Sequence, residues 1–332
     1  MQVFYSDVPP VALPDGHRFP MPKYSRLHQR VRSDPPPRVT LVASEPAGDA
    51  QLCLVHDPEY VRRVMQGELT EKETRRIGFP WSPELTVRSR HSVGGTLGAC
   101  RAALRDGLAL HLAGGTHHAY PEHGEGYCVF NDVAVAARAM QQERRARRCV
   151  VIDLDVHQGN GTAAIFAGDP SVFTFSVHGQ KNFPFHKELS SLDIALPDAS
   201  GDAEFLAAVR QGLPQALAWA LAGEQVLGGP GVGEAGLDRA PAGSEGFEHD
   251  CLGIYIAGAD PYIEDRLGRL AMSKEGLAER DRCVIAACRQ AGLPLAIVMG
   301  GGYAKNVDDV IDIHYRTLQI AATFSSPPRM DS

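Results

Sequence analysis

The sequence has no C-x-x-C pair, although its 332 residues include seven cysteines. An odd number of scattered cysteines predicts reduced, mostly buried thiols rather than a zinc knuckle, a redox motif or a disulfide framework. The sequence also has no apolar run approaching the ~20 residues that a membrane helix needs. Because its first residues show no basic segment followed by an apolar one, we expect a cytoplasmic protein without a membrane span.

Positive charge is in deficit. Lys and Arg number 33 against 40 Asp and Glu, which gives a formal net charge of −7 at pH 7. Broad binding to phosphate backbones needs Lys and Arg in excess on at least one face, so nucleic acid is not an expected partner. A G-x-S-x-G nucleophile elbow and a P-loop are also missing, which leaves serine hydrolase and nucleotide hydrolase functions without support.

A dinucleotide-binding pattern occurs once, in an unsuitable context. Residues 231–236, Gly-Val-Gly-Glu-Ala-Gly, match G-x-G-x-x-G. A genuine fingerprint follows a strand and opens a helix, whereas this match lies between Pro230 and Pro241. The surrounding segment 228–246 is rich in Gly, Pro and Ala and predicts a surface loop inserted in the fold. A nicotinamide enzyme is therefore not expected.

Short apolar runs alternate with helix-like stretches, which is typical of parallel strands joined by helical crossovers. The clearest strand candidates are too uniformly apolar to have a solvent-facing side, so they should be central; they are 149–153, 172–176, 251–257 and 295–299. The helical candidates are 93–105, 131–145, 203–222 and 273–290. The sequence predicts an α/β fold with helices on both faces, in a single domain over residues 1–325 followed by a tail, 326–332.

The most informative polar cluster is Asp153-Leu-Asp155-Val-His157, at the end of an apolar strand candidate. In open parallel sheets, ligands bind at the edge formed by the carboxyl ends of the strands. If the strand end stays extended, Asp153, Asp155 and His157 point to one side. Carboxylate oxygen and imidazole nitrogen suit zinc, and a catalytic zinc usually keeps three protein ligands. Asp260, at the end of another strand candidate, is well placed as the third ligand beside Asp155 and His157.

A structural role would also explain this cluster, because Asp and His often cap helices and a helix is expected to begin near Gly161. Two adjacent histidines, His117 and His118, favour chemistry instead. Glycines at 114 and 115 permit the turn that would bring both imidazoles to one site, where one could accept a proton and the other could protonate a leaving amine. The alternative is a pair of surface loop histidines.

Gly300-Gly-Gly-Tyr303 is the last polar cluster. Its glycines let a strand end fold tightly and deliver a phenol whose O–H could stabilise a developing oxyanion. A glycine-rich turn with a packed tyrosine is the structural alternative.

Taken together and in this order, four motifs resemble the histone deacetylase family: His117-His118, Asp153-x-Asp155-x-His157-Gln-Gly-Asn160, Gly258-Ala-Asp260-Pro and Gly300-Gly-Gly-Tyr303. The resemblance covers most of the chain from about Arg18, and the combination is far more specific than any part. It implies the arginase/deacetylase fold with a mainly parallel eight-stranded sheet. It also implies zinc-dependent hydrolysis of an N-acyl amide.

By matching position, the resemblance implies the zinc ligands Asp155, His157 and Asp260, with Fe²⁺ as an alternative metal. It implies that His118 is the general base and that His117 supports charge or protonates the amine. Asp153 would lie behind His117, and Tyr303 would polarise the amide carbonyl. A structural monovalent cation, K⁺ or Na⁺, is implied at Asp153, Asp155, His157, Ser176 and Val177. Gly126 and Tyr127 resemble the wall of the acyl tunnel.

One departure concerns the partner of His118. Where many members have an aspartate, this chain has Asn160, which can accept a hydrogen bond but cannot stabilise an imidazolium by charge. This form resembles the branch close to the eukaryotic class IV enzymes, for which acyl groups longer than acetyl are plausible substrates. The expected substrate is an acylated lysine in a peptide or protein. The alternative is a small acylated amine such as an acetylpolyamine, which an acidic rim would favour.

Overall fold

The computed structural model describes residues 1–222 and 246–325. These residues form one eight-stranded sheet. Its strands are β1 Gln2–Tyr5, β2 Thr40–Ala43, β3 Leu108–His111, β4 Ala146–Asp153, β5 Val172–Gly179, β6 Leu192–Leu196, β7 His249–Ile256 and β8 Leu295–Val298. Every neighbouring pair is parallel, in the order β2-β1-β3-β8-β7-β4-β5-β6. The predicted α/β class and strand number are confirmed.

Ten helices lie within the same residues. They are α1 Lys23–Ser33, α2 Asp49–Leu52, α3 Pro58–Gln66, α4 Glu71–Ile77, α5 Pro83–Asp106, α6 Asp132–Gln142, α7 Asn160–Ile165, α8 Asp202–Leu221, α9 Lys274–Gln290 and α10 Val307–Thr323. None of the described helices is both long and apolar enough to cross a membrane.

Apolar side chains alternate between two buried clusters along the central strands. In β4, Val150 and Ile152 pack into the cluster that contains α8, α9 and α10, whereas Cys149 and Val151 pack into the cluster of α5 and α6. A strand segment that is buried on both faces favours apolar residues at successive positions, which is why residues 149–152 of β4 form a continuous apolar run. The prediction of helices on both faces is confirmed.

Local signals set the helix ends. Ser273 caps α9 by accepting a hydrogen bond from the Gly276 N–H. Helix α5 begins at Pro83 rather than near residue 93, because Ser82 accepts from the Leu85 N–H and proline suits the first helical position. Helix α6 ends at Gln142, and β4 begins only four residues later. The prediction that this helix extends to residue 145 was therefore wrong.

Strand order determines where the polar motifs meet. Strands β3, β8, β7 and β4 are consecutive neighbours, so the segments after their carboxyl ends lie at one edge of the sheet. These segments carry all four polar motifs. The predicted loop at 228–246, apart from Gly246, and the tail at 326–332 lie outside the described residues, and the single-domain assignment stays a prediction.

Candidate metal and catalytic centre

Asp155, His157 and Asp260 meet beyond the ends of β4 and β7. One ligand atom from each residue lies within 4.8 Å of the others, and all three side chains are buried. Strand β4 ends at Asp153, so Asp155 and His157 lie in a bend rather than on an extended strand. The strand alternation expected across residues 153–157 was therefore wrong. The bend, rather than the pleat, brings the side chains together.

Backbone donors hold both carboxylates in place. Gly301 N–H donates to Asp155 Oδ2 at 2.8 Å, and Val156 N–H donates to Asp260 Oδ1 at 2.9 Å. His157 Nδ1 lies 3.0 Å from Asp155 Oδ1 and 3.2 Å from Asp260 Oδ2. Burial disfavours the imidazolium, but the two carboxylates outweigh it and raise the pKa of His157 to about 10. The pocket therefore favours positive charge between its carboxylates.

Glycines leave the space that this donor set needs. A Cβ at Gly301 would overlap Asp260 Oδ2, and a Cβ at Gly258 would overlap Asp155 Oδ2. Two carboxylates and one imidazole match the oxygen and nitrogen ligands of catalytic zinc sites, which usually provide three protein ligands. Buried carboxylates need a paired charge or a metal. These residues therefore fit a divalent cation such as Zn²⁺ or Fe²⁺.

The capping alternative for the 153–157 cluster does not hold. Helix α7 begins at Asn160, its N-cap residue is Gly159, and no side chain caps it. Asp155 and His157 instead contact each other and Asp260.

His117 and His118 occupy the same site, each with its own partner. His117 Nδ1 is 2.6 Å from Asp153 Oδ2, and His118 Nδ1 is 2.6 Å from Asn160 Oδ1. The two ring centroids are 4.2 Å apart, and both side chains are buried. The alternative of surface loop histidines is excluded by this burial.

The pKa values of the two histidines are shifted in opposite directions. Burial opposes the charged form of His117, but the carboxylate of Asp153 raises its pKa to about 9. For His118, burial together with the charges of His117 and His157 holds the pKa well below its usual value. Asn160 supplies a hydrogen bond but no charge to offset this effect. The structure therefore favours a neutral His118 beside a protonated His117.

A hydrogen-bond network orients Asn160. Its Nδ2 donates to Glu125 Oε1 at 3.1 Å and to the Tyr120 hydroxyl at 3.2 Å. Because Asn160 Nδ2 donates both of these hydrogen bonds, Oδ1 is the atom that faces His118. His118 Nδ1 therefore donates to Asn160 Oδ1, and His118 Nε2 is left as a proton acceptor. Glu125 and Tyr120 were not predicted from the sequence, because neither belongs to a motif with distinctive spacing.

Tyr303 lies opposite the histidines, with its ring centroid 6.3 Å from that of His157. Its N–H donates to Asp265 Oδ2 at 2.6 Å, and Arg266 Nε donates to its carbonyl at 2.9 Å. The buried Lys23 donates to the carbonyls of Gly300 and Gly302, at 3.4 and 3.3 Å. Burial and the nearby carboxylates hold the pKa of Tyr303 well above its usual value, so the hydroxyl stays a donor.

A buried arginine lies behind the centre. Arg280, from the middle of α9, donates through Nη1 to the carbonyls of Leu154 at 3.2 Å and Gly258 at 2.7 Å. These carbonyls belong to the two segments that carry the candidate metal ligands. Arg280 is also paired with Asp281 at 2.8 Å. Its side chain thus ties the two segments together, and no sequence motif identifies it.

A cavity of about 510 Å³ connects His118, His157 and Tyr303 to the surface. Gly126, Tyr127 and Phe183 also line it. Gly126 and Tyr127 have φ values of +55° and +67°, and a Cβ at Gly126 would stand 2.7 Å from His118 Cδ2. Glycine therefore allows the wall to approach the histidine closely. Both residues predicted for the tunnel line this cavity, and their contact with an acyl chain stays a prediction.

The residues expected to hold a monovalent cation lie at the ends of β4 and β5. Asp153 and Ser176 are direct partners in the sheet, and Val177 follows in β5. Asp153 Oδ1 accepts from the Asp155 N–H at 3.2 Å, and Ser176 Oγ lies 2.9 Å from His178 Nδ1. The sheet register thus brings most of this set together, and a K⁺ or Na⁺ ion there stays a prediction.

Comparisons with known proteins identify the family and the fold. The histone deacetylase domain model matches residues 17–231. An uncharacterized protein of Picosynechococcus sp. is 43% identical over 303 residues, which cover 91% of this chain and 92% of that protein. Histone deacetylase 2 of Arabidopsis thaliana is 27% identical over 274 residues, which cover 80% of this chain and 64% of that protein.

A crystal structure of an HDAC homolog complexed with SAHA has the same fold, with a TM-score of 0.74 and 22% identity. The alignment covers 98% of this chain and 84% of that one. The chain belongs to the histone deacetylase family, whose members are deacetylase hydrolases.

Proposed function

We propose that this protein uses zinc to remove acetyl or longer acyl groups from lysine side chains. One observation supports the proposal: three residues that could hold a metal lie beside two buried histidines with different partners, and His118, His157 and Tyr303 line one cavity. Each group has a distinct role in amide hydrolysis.

Asp155, His157 and Asp260 would hold the metal, which when bound polarises the amide carbonyl and makes a nearby water more acidic. His118 accepts the proton of the attacking water at Nε2, because its low pKa keeps it neutral. Tyr303 donates its hydroxyl hydrogen bond to the carbonyl oxygen as negative charge develops there. His118 then delivers its proton to the departing amine, while protonated His117 stabilises the negative charge.

Three groups position these residues without reacting. Asp153 keeps His117 charged, and Asn160 fixes the ring of His118. The structural K⁺ or Na⁺ proposed at Asp153, Asp155, His157, Ser176 and Val177 would stabilise the ends of the strands that carry them. Loss of a group that only positions catalytic residues or metal ligands typically lowers activity about 10- to 100-fold rather than abolishing it.

The cavity lining supports lysine over a polyamine. Recognition of a cationic acetylpolyamine calls for carboxylates near the entrance, and the described residues that line this cavity include neither Asp nor Glu. An acylated lysine presents only its neutral amide to the interior.

A release assay tests the function. Purified zinc-loaded protein is incubated with acetyl-, trifluoroacetyl-, octanoyl- and myristoyl-lysine peptides and with acetylated polyamines. We expect hydrolysis of at least one acyl-lysine peptide, with loss of activity in Asp155→Ala and no loss in Asp308→Ala, a control for an exposed carboxylate on α10. Stoichiometric zinc with every substrate intact would contradict the proposal. Preferential hydrolysis of acetylpolyamines would replace the lysine assignment.

A further inference from the structure

Six basic side chains surround the mouth of the cavity, in a chain whose net charge is −7. They come from four segments: the connection between β1 and α1, helix α4, and the segments after β5 and β7. All six are exposed: Arg18, Arg75, Arg76, Lys181, Arg266 and Arg269. We call this group the basic mouth. Its charge is opposite in sign to that of the whole chain.

Among the described residues, two members of the basic mouth form an ion pair with a carboxylate. Arg75 pairs with Glu71 at 3.2 Å, and Arg269 pairs with Asp198 at 3.2 Å. Within residues 1–222 and 246–325, no ion pair is formed by the other four: Arg18, Arg76, Lys181 and Arg266. Their charge is therefore available to a ligand.

Arg266 is held in place without being neutralised. Its Nε donates to the Tyr303 carbonyl at 2.9 Å, and its Nη2 donates to the Arg18 carbonyl at 2.8 Å. Backbone carbonyls orient a guanidinium but carry no net charge. The arrangement places a fixed positive charge next to the backbone of Tyr303, which lines the cavity.

Two further carboxylates near the mouth, Asp265 and Glu125, are hydrogen-bonded to groups outside the basic mouth. Asp265 accepts hydrogen bonds from the N–H groups of Leu267 at 2.8 Å, Gly268 at 2.9 Å and Tyr303 at 2.6 Å. Glu125 accepts from Asn160. Neither carboxylate lines the cavity. The field at the entrance is thus set by the basic side chains.

From this charge distribution we propose that the basic mouth selects acyl-lysines flanked by Asp and Glu residues in a peptide or protein. This inference rests on the proposed lysine deacylation and adds the class of sequence that is recognised. Opposite charge at a concave entrance attracts the substrate and raises its association rate, whereas like charge repels it. A lysine-rich peptide would meet uncompensated positive charge on several sides.

Binding of two matched acyl-lysine peptides tests the proposal, one flanked by Asp and Glu and the other by Lys and Arg. Both carry the same neutral dye, and fluorescence polarisation reports their binding to the zinc-loaded full chain. We expect the acidic peptide to bind about tenfold more tightly at low salt. The preference should shrink as salt is added, because the screening length falls to about 8 Å at physiological ionic strength. Equal binding, or tighter binding of the basic peptide, would overturn the proposal.

Charge reversal locates the effect. Arg76→Glu combined with Lys181→Glu should abolish or invert the preference, because both side chains are exposed at the mouth and neither touches the candidate catalytic groups. Arg32→Glu on α1 makes one such charge reversal at an exposed position outside the cavity lining and should retain the preference. A preference that survives the double reversal would contradict the assignment. The wild-type salt dependence decides the question if the variant does not fold.

The binding assay separates this inference from the function on which it rests. If no peptide is hydrolysed, the proposed function fails, while the charge preference is still measured in binding. If both peptides are hydrolysed with equal kcat/KM and bound equally, the function stands and the charge selection fails.

Discussion

The inner end and the mouth of the cavity differ in burial and in charge. At the inner end, the side chains of Asp155, His157 and Asp260 are 1%, 8% and 0% exposed and are surrounded by fixed backbone donors. At the mouth, Arg76 and Lys181 extend into solvent. Electrostatic interactions are strong and poorly screened in the first environment and weak and salt-dependent in the second. We therefore expect the inner end to determine the reaction and the mouth to select the substrate.

The largest effect should follow a change of metal ligand. Asp260→Asn replaces a charged ligand by a neutral amide, so bound zinc should be lost and hydrolysis should fall at least about a hundredfold. Elemental analysis after dialysis, together with the release assay, measures both quantities. Asp312→Asn, an exposed carboxylate on α10, is the matched control. If Asp260→Asn kept the zinc content and the hydrolysis rate of the wild type, Asp260 would not be a metal ligand.

Removing the oxyanion donor should have the next largest effect. Tyr303→Phe deletes one hydroxyl and should lower kcat about 10²- to 10³-fold while leaving the zinc content unchanged. Steady-state kinetics on the preferred acyl-lysine peptide provides the test. Tyr315→Phe, which loses a hydroxyl that donates to the Asp34 carboxylate outside the cavity lining, should keep its kcat. An unchanged kcat in Tyr303→Phe would show that this hydroxyl does not act on the reacting carbonyl.

The asymmetry between the two histidines predicts a shift in pH dependence. Asn160→Asp places a carboxylate beside His118 and should raise the pKa of that imidazole. A base with a raised pKa stays protonated up to a higher pH, so the acidic limb of the kcat/KM profile should move to higher pH by about one unit. Asn306→Asp, at the exposed N-cap of α10, adds the same charge elsewhere. A profile identical to the wild type would argue against His118 as the base.

The smallest effect should come from a single change at the mouth. Lys181→Gln removes one exposed charge and should lower kcat/KM for an acidic acyl-lysine peptide about two- to fivefold at low salt. High salt should erase the difference, and kcat should not change. Arg32→Gln serves as the control. A salt-independent loss as large as that of Tyr303→Phe would mean that the mouth takes part in the reaction itself.

The central strands could be predicted from sequence, and the edge strands could not. Strands β4, β5, β7 and β8 are buried along most of their length and appear as apolar runs. The edge strand β2 has only four residues, and none of them is fully buried. Such a short segment shows neither a long apolar run nor a clear alternation of apolar and polar residues. Its pairing with the neighbouring strand β1, rather than its own sequence pattern, makes it a strand.

For the candidate site, the residue types were predicted better than their geometry. Asp155, His157 and Asp260 stand out because two carboxylates and an imidazole follow apolar strands. The bend after Asp153 was not predicted, since it depends on contacts with the segment after β7. Lys23, Arg266 and Arg280 act on the site through backbone carbonyls, and such a contact imposes no local sequence pattern. The basic mouth was missed because its members are distant in sequence.

The most direct test of the central claim is to titrate metal-free protein with zinc while bound metal and acyl-lysine hydrolysis are followed together. We predict that the rate rises in proportion to bound zinc and levels off at one zinc per chain, and that Asp155→Ala neither binds zinc nor hydrolyses the peptide. Hydrolysis by the metal-free protein, or full zinc binding and activity in Asp155→Ala, would contradict the account.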